Sequence, residues 1–392
     1  MDRNNPEYVS RCNVLPDSES LSTKLKITLC TDGVFPHAMG GMQRHSSLLA
    51  AHLAQREDVE LTVLHPHEMP VFRAALGIKE IHIPPIDPEK FYLRELWRYS
   101  DAVAKELDRI GSDVIMSQGF CVWKGVDRFK DRLIVHPHGL EMFQGLTVKD
   151  KLIGLPFRML LRYLVSRSRV TISLGGKLTD ILKKLASGTT GEIAVLPNAV
   201  EVPNVQVPRG RNETLRILFV GRFAFNKGID VLMSVAERLV AEGHGGRLQF
   251  ELAGSGPLLE HFKRKGLPSN VQLLGRVDDD ELFALYTQCD VFLLPTRFEG
   301  MPTVVLEAMA RSMPIIVSDV GATAELVGQD NGWLLPPGDA DALYRALIEF
   351  MDLSPAERDA LGASSLARVK ADFTWPKVTE RTVGLFRNVV ST

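Results

Sequence analysis

The chain is poor in cysteine, in net charge and in long apolar runs, and each shortage closes off a class of function. Its four cysteines, Cys12, Cys30, Cys121 and Cys289, lie far apart and form no Cys-x-x-Cys pair. Neither a zinc site nor a disulfide framework is indicated, and a reducing cytoplasm is the expected setting. The 46 Lys and Arg against 48 Asp and Glu leave a formal charge of −2, which gives no global attraction to nucleic acid. No apolar stretch reaches the ~18 residues of a membrane span. The first 24 residues are polar and carry acids, without the apolar core of a signal peptide, and read as a loose leader. Two catalytic signatures are missing as well. No Gly-x-Ser-x-Gly elbow occurs, and Gly254-Ser255-Gly256 lacks the third glycine of a dinucleotide fingerprint.

What is present is an alternation of two periods. At 392 residues, with 45% hydrophobic and 24% charged residues, the chain has the composition of a soluble globular protein and suits two domains. Short apolar, β-branched runs recur, each followed by a helix-length amphipathic segment. "KITLC", "ELTVLHP", "DVIMSQ", "RLIVHPHG" and "VTISLG" come first; the pattern restarts with "RILFVGR" and continues through "LQFELAG", "VQLLG", "DVFLLP", "PIIVSD" and "GWLLPP". Continuous apolar runs fit parallel strands covered by helices on both faces. The stretch 197–213 holds three prolines and little periodicity, so it reads as the connection between domains. The expected fold is α/β: two doubly wound domains, 25–200 and 214–372, joined by a linker at 201–213. Ligands of such domains bind beyond the carboxyl ends of the strands, which points to the cleft between them.

The strand ends carry the chemistry. After "ILFVG", Arg222 and Lys227 bracket a short loop, two cations that suit a diphosphate, although solvated loop cations would look the same. Gly40-Gly41 precede a helix after the first strand, where the backbone can approach an anion closely or simply turn. His136 and His138 end another strand, and the Pro-His-Gly turn directs His138 to the cleft. The acids Asp278, Asp279 and Asp280 directly precede a helix, which favours capping over Mg²⁺ binding. Most telling is "FEGMPTVVLEAMA". Glu299 stands at a strand end beside Gly300, Met301, Pro302 and Thr303, with Pro302 suited to the first helical position. Glu307 falls inside an apolar helical run, where a carboxylate is costly unless something pairs with it.

"GRFAFNKG", "AGSGP", "LLGRV", "LPTRFEGMPTVVLEAMA" and "PNAVE" together resemble the retaining glycosyltransferases of family 4, with the two-domain GT-B fold. The resemblance covers residues 24–392, and 373–392 looks like a closing helix that packs back on the first domain. It implies that Arg222 and Lys227 bind the donor diphosphate, that Glu299 holds the donor-sugar hydroxyls, and that Glu307 holds the ribose. Gly41, beside Gly40, would approach the diphosphate from the opposite domain, His138 would sit by the transferred sugar, and the backbone at Arg276 would meet the base. The implied co-substrate is a nucleotide-diphosphate sugar, UDP-linked in preference to GDP-linked, with no cofactor and no metal. Gln43, and Ala199 and Glu201 within Asn198-Ala199-Val200-Glu201, depart from the family's usual residues without touching the donor motif.

Rival readings are a nucleotide-sugar epimerase of the same fold, an NAD(P) oxidoreductase and a non-catalytic sugar-nucleotide-binding regulator. The first does not need the paired motifs, the second lacks its glycine fingerprint, and the third could dispense with the cations. One charge feature concerns the acceptor. From Lys151 to Thr179 there is no Asp or Glu, while Lys151, Arg158, Arg162, Arg167, Arg169 and Lys177 give a formal +6. Such a segment serves as a basic amphipathic helix on the inner face of an anionic membrane, or as a packed helix whose arginines are solvated or paired.

Overall fold

The computed structural model describes residues 24–205 and 213–391, so the expected leader, save Lys24, and residues 206–212 of the linker lie outside the described residues. The first sheet contains β1 (Leu25–Cys30), β2 (Val59–His65), β3 (Lys79–His82), β4 (Val114–Gln118), β5 (Leu133–His136), β6 (Val170–Ser173) and β7 (Glu192–Val195). The second contains β8 (Leu215–Val220), β9 (Leu248–Ala253), β10 (Val271–Gly275), β11 (Val291–Leu294), β12 (Ile315–Ser318) and β13 (Gly332–Leu335). Strand orders are 3-2-1-4-5-6-7 and 10-9-8-11-12-13, and the pairings are parallel. Both are doubly wound sheets, with the order reversing beside β1 and β8.

Helices α1 (Gly41–Ala54), α2 (Tyr92–Leu107), α3 (Val148–Val165) and α4 (Gly176–Ala186) accompany the first sheet. The second carries α5 (Ile229–Ala241), α6 (Leu259–Lys265), α7 (Asp279–Gln288), α8 (Thr303–Met309), α9 (Ala340–Asp352) and α10 (Pro355–Asp372), and the chain ends with α11 (Trp375–Ser391). Local chemistry sets several starts. Asp278 caps α7, accepting from the Glu281 N–H at 2.8 Å, and Glu281 returns the bond as a capping box. Ser354 does the same for α10, with Pro355 at its first position.

The period of two along each central strand divides its side chains between two cores. Ile27 and Leu29, Val114 and Met116, and Ile134 face one core, whereas Cys30, Ile115, Leu133 and Val135 face the other. The second of these cores is closed by Tyr99, Val103 and Leu107 of α2. The first is closed by α1 and by Trp375, Val378, Val383 and Phe386 of α11. The C-terminal helix therefore crosses back to the first sheet, while α10 stays against α8 of the second. Where the chain crosses, the Val200 N–H donates to the Phe373 carbonyl at 2.8 Å, and Val200 forms an isolated bridge with Thr374.

Two strands escape the sequence reading. β3, "KEIH", and β7, "EIAV", lie at the two edges of the first sheet, and each is only half covered. An edge strand tolerates charge and lacks a continuous apolar run, which removes the signal. Pro302 also differs from expectation. It is the N-cap of α8, with an extended ψ of 118°, and the helix begins at Thr303. The segment before it is held open by the Ala322 N–H, which donates to the Gly300 carbonyl at 2.9 Å.

Phe386 of α11 is fully buried against the first sheet's core. Phe386→Ala should cost about 3–5 kcal/mol, by lost transfer energy and the cavity left behind, and lower the apparent melting temperature. Thermal denaturation followed by circular dichroism measures this; an unchanged melt would mean that α11 does not hold the first domain.

Candidate active site

The carboxyl ends of the two sheets face each other across a cavity of about 350 Å³. Its second-domain wall comes from the ends of β8 and β11, with Arg222, Lys227 and residues 299–304. The first domain contributes Gly41, His138, Gly139, Glu141, Leu174 and Asn198.

Lys227 and Glu299 form an ion pair within this wall, and both side chains are largely shielded, at 23 and 13% exposure. Their positions follow from two interlocked loops. Lys227 ends a single 3₁₀ turn, Phe225–Lys227, and Gly228 after it has a φ of 68°. A Cβ at Gly228 would stand 1.8 Å from the Pro295 carbonyl, so only glycine lets the turn nest against the end of β11. The Asn226 carbonyl accepts from the Arg297 N–H at 2.8 Å and from the Thr296 hydroxyl at 2.9 Å. Arg297 in turn holds Asp230 through two 2.7 Å bonds and stacks over the Phe225 ring. Arg222 is exposed at the rim and makes no ion pair with any described residue. Opposite, α1 starts without a side-chain cap and without an acid in its first turn. The space a Cβ would occupy at Gly41 is open. The wall of one domain is thus cationic, and the facing helix start offers free N–H groups.

Beneath the cavity lies a cluster of imidazoles. His138 stacks on His136 with ring centres 3.8 Å apart, and His45 of α1 approaches both edge-on at 5.1 and 5.3 Å. His138 holds a positive φ of 59° and donates from Nε2 to the side-chain oxygen of Gln118. Burial drives all three histidines towards the neutral form, His45 down to about 4 and the other two well below the ordinary imidazole range, aided by their neighbours. Both nitrogens of His136 and the amide nitrogen of Gln118 are buried without a partner among the described residues.

Glu307 faces a second cavity of about 240 Å³, beside the first, with Thr303 lining both. Its carboxylate is buried, which raises its pKa, and the Tyr286 hydroxyl donates to Oε2 at 2.9 Å. Arg44, from α1 of the other domain, reaches in: it holds Asp279 through two bonds of 2.7 and 2.9 Å and stands 3.8 Å from Glu307 Oε1.

Of the residues singled out from sequence, Gly41, His138, Arg222, Lys227, Glu299, Gly300, Met301, Pro302 and Thr303 come together in one cavity. Glu307 lines its neighbour, Gly40 lies just outside at the start of α1, and Arg276 lines neither, its Nε donating to the Ser255 hydroxyl at 3.0 Å. The three aspartates divide: Asp278 caps α7 while Asp279 pairs with Arg44. Sequence reasoning missed Arg44, Gln118 and Asn198, whose amide nitrogen donates to the Met301 carbonyl at 2.7 Å across the cleft. Arg44 stands three residues after Gly41, and that proximity to a cleft-facing glycine was the available signal.

Two doubly wound domains facing a cleft with a cationic wall are the architecture of the GT-B fold. The family description "Glycosyltransferase Family 4" matches residues 39–202, and "Glycosyl transferases group 1" matches 214–352. An uncharacterized glycosyltransferase of Methanocaldococcus jannaschii is 32% identical over 69% of this chain and 76% of its own length. The MMP alpha-(1->4)-mannosyltransferase of Mycolicibacterium hassiacum is 29% identical over 54% of this chain and 52% of that enzyme, so the chain spans about half the length of that relative. Among solved structures, sucrose-phosphate synthase from Thermosynechococcus elongatus superposes with a TM-score of 0.79 at 20% identity, over 94% of this chain and 100% of the other. The chain belongs to the family 4 glycosyltransferases.

The histidine cluster sets a pH dependence. Below an ordinary value of 6.5 the unfolded imidazole takes up a proton that folded His45 refuses until about pH 4. In that window the unfolded state binds more protons, so stability falls as the pH is lowered, by roughly 3 kcal/mol for this group alone. His45→Gln should flatten part of the slope of apparent melting temperature against pH between those values; parallel slopes would remove the assignment.

Proposed function

We propose that the cavity transfers a sugar from a nucleoside-diphosphate sugar to an acceptor hydroxyl, with retention at the anomeric carbon, in glycan or glycolipid synthesis. The observation that carries this reading is the Lys227–Glu299 pair beside Arg222, opposite the uncapped start of α1. The bond from the anomeric carbon to the diphosphate oxygen breaks, its electron pair leaves with the diphosphate, and positive charge grows on the sugar. Arg222 and Lys227 stabilise the departing anion, and such preorganised charge is commonly the largest contribution to catalysis. Those cations supply the neutralisation that a divalent ion would otherwise give, so the reaction is assigned no metal. The acceptor oxygen bonds to the anomeric carbon on the face the diphosphate leaves, and its proton passes to the departing phosphate oxygen.

The remaining residues take positioning roles. Glu299 Oε1 accepts from Lys227, which leaves Oε2 for the donor-sugar hydroxyls. The neutral His138 ring stands beside the same sugar without adding charge. Glu307 Oε2 is fixed by Tyr286, so Oε1 is the atom for ribose hydroxyls, and Arg44 must yield some of that space to the nucleoside. The backbone at Gly40, Gly41 and Thr303 lies along the diphosphate, and that at Arg276 near the base. UDP-sugars are the first donors to test and GDP-sugars the second.

Arg222→Ala or Lys227→Ala should weaken binding of the preferred nucleoside diphosphate by about ten- to a hundredfold, the loss of one charged hydrogen-bond donor. Isothermal calorimetry with UDP and GDP reads this directly, and full affinity in both variants would end the phosphate role.

Glu299→Ala should lose roughly 2–4 kcal/mol of transition-state stabilisation while nucleoside diphosphate affinity stays near that of the unaltered protein. Transfer assays should also be indifferent to EDTA. Activity lost on chelation and restored by Mg²⁺ or Mn²⁺ would require a metal in the mechanism.

A further inference from the structure

Helix α3 has two apolar faces, and only one of them is covered. Leu160, Leu161, Leu164 and Val165 are buried against the protein. On the opposite side Val148, Leu152, Leu155 and Met159 follow at i, i+4, i+7 and i+11, the spacing that stacks side chains in one row. They are 74, 66, 50 and 68% exposed. A continuous row of large apolar side chains in water is costly, unlike apolar residues scattered singly, and marks a surface with a partner.

Charge beside the row identifies the kind of partner. Lys151 and Arg162 flank it on one side and Lys149 on the other, all on the same helix. The helix's acid, Asp150, is spent on the N-terminal capping box with Thr147. Not every cation counted from sequence is available. Arg158 donates to the Met142 carbonyl, Arg167 pairs with Asp127, and Lys177 pairs with Asp319. What remains is an apolar ridge with cationic margins. This matches a bilayer boundary, where acyl chains lie beneath anionic headgroups. No helix among the described residues is long and apolar enough to cross a membrane, so attachment through this ridge would be peripheral.

The ridge also lies close to the reaction. Residues Glu141–Phe143 form a turn on which α3 rests, and a Cβ on Gly154 would lie 2.7 Å from the Met142 carbonyl. Glu141, in that turn, and Gly139, two residues before it, line the larger of the two cavities.

We propose that α3 is a membrane-docking surface. Val148, Leu152, Leu155 and Met159 enter the acyl boundary, Lys149, Lys151 and Arg162 lie among anionic headgroups, and the cavity is brought to a lipid-borne acceptor. The docking stands on the surface alone; the identity of the acceptor rests on the proposed transfer reaction.

Vesicle co-sedimentation tests it, with phosphatidylcholine alone and with phosphatidylcholine mixed with phosphatidylglycerol. The full chain should bind the anionic vesicles at low salt, and less as screening sets in at ~0.1 M, where the Debye length is ~10 Å. Leu152→Asp with Met159→Asp should lower that partitioning at least about tenfold. Lys151→Glu with Arg162→Glu should abolish the preference for phosphatidylglycerol. Calorimetry with UDP and GDP should give the same affinities in both variants as in the unaltered chain, which verifies that they fold. No binding to anionic vesicles at low salt overturns the proposal, as does equal binding by the Leu152 and Met159 variant. So does sedimentation velocity in which the chain self-associates, the same variant stays monomeric, and vesicles bind neither. A chain that binds vesicles but no nucleoside diphosphate leaves the surface standing and removes only the donor reading.

Discussion

A parallel strand can be reached only by a crossover, and every crossover returns the chain to the same edge of its sheet. This constraint governs the molecule. All the turns that leave β1, β5, β8 and β11 emerge at carboxyl edges, and they carry Gly41, His138, Arg222 and Glu299. Because two such edges face one another, groups more than two hundred residues apart converge without any element leaving its layer. The buried strands pay for this arrangement in sequence freedom, since both faces must be apolar. The turns, by contrast, are free to hold charge.

That division explains what could be read beforehand. Central strands such as "VFLL" and "IIVS" are apolar from end to end and fully buried, so their pattern is unmistakable. The edge strands β3 and β7 keep one side open to solvent, and their charges hide them. In the site, Lys227 and Glu299 were legible because each sits in the short loop that follows an apolar strand, where ligands of such domains bind. Glu307 was legible from the opposite anomaly, a carboxylate within a buried helix, and its partner Tyr286 answers part of the cost. Arg44 gave no such warning. It occupies an ordinary half-exposed helical position, and only the approach of the second domain gives it Asp279 as a partner. Gln118 likewise ended a strand unremarkably until the turn at His138 brought an imbalance of polar groups beneath the cavity.

The cluster formed by His45, His136 and His138 places three polar rings under the cavity wall, and burial keeps charge off them. Above it, Lys227 and Glu299 are paired and shielded, so their mutual attraction is less screened than that of a surface pair. Neutral polar groups below and fixed charges above give the cavity a field whose direction is set by the fold. Water does not have to reorganise to create it.

The two places where the chain passes between domains lie side by side, joined by the Val200–Phe373 hydrogen bond and the Val200–Thr374 bridge. Two strands of chain pinned together act mechanically as a door post. Sliding one domain past the other would stretch both passages, whereas swinging about their common line alters a few backbone torsions. Motion of the domains is therefore channelled into opening and shutting. The Arg44–Asp279 and Asn198–Met301 contacts bridge the cleft, so such a swing has to loosen or re-form them.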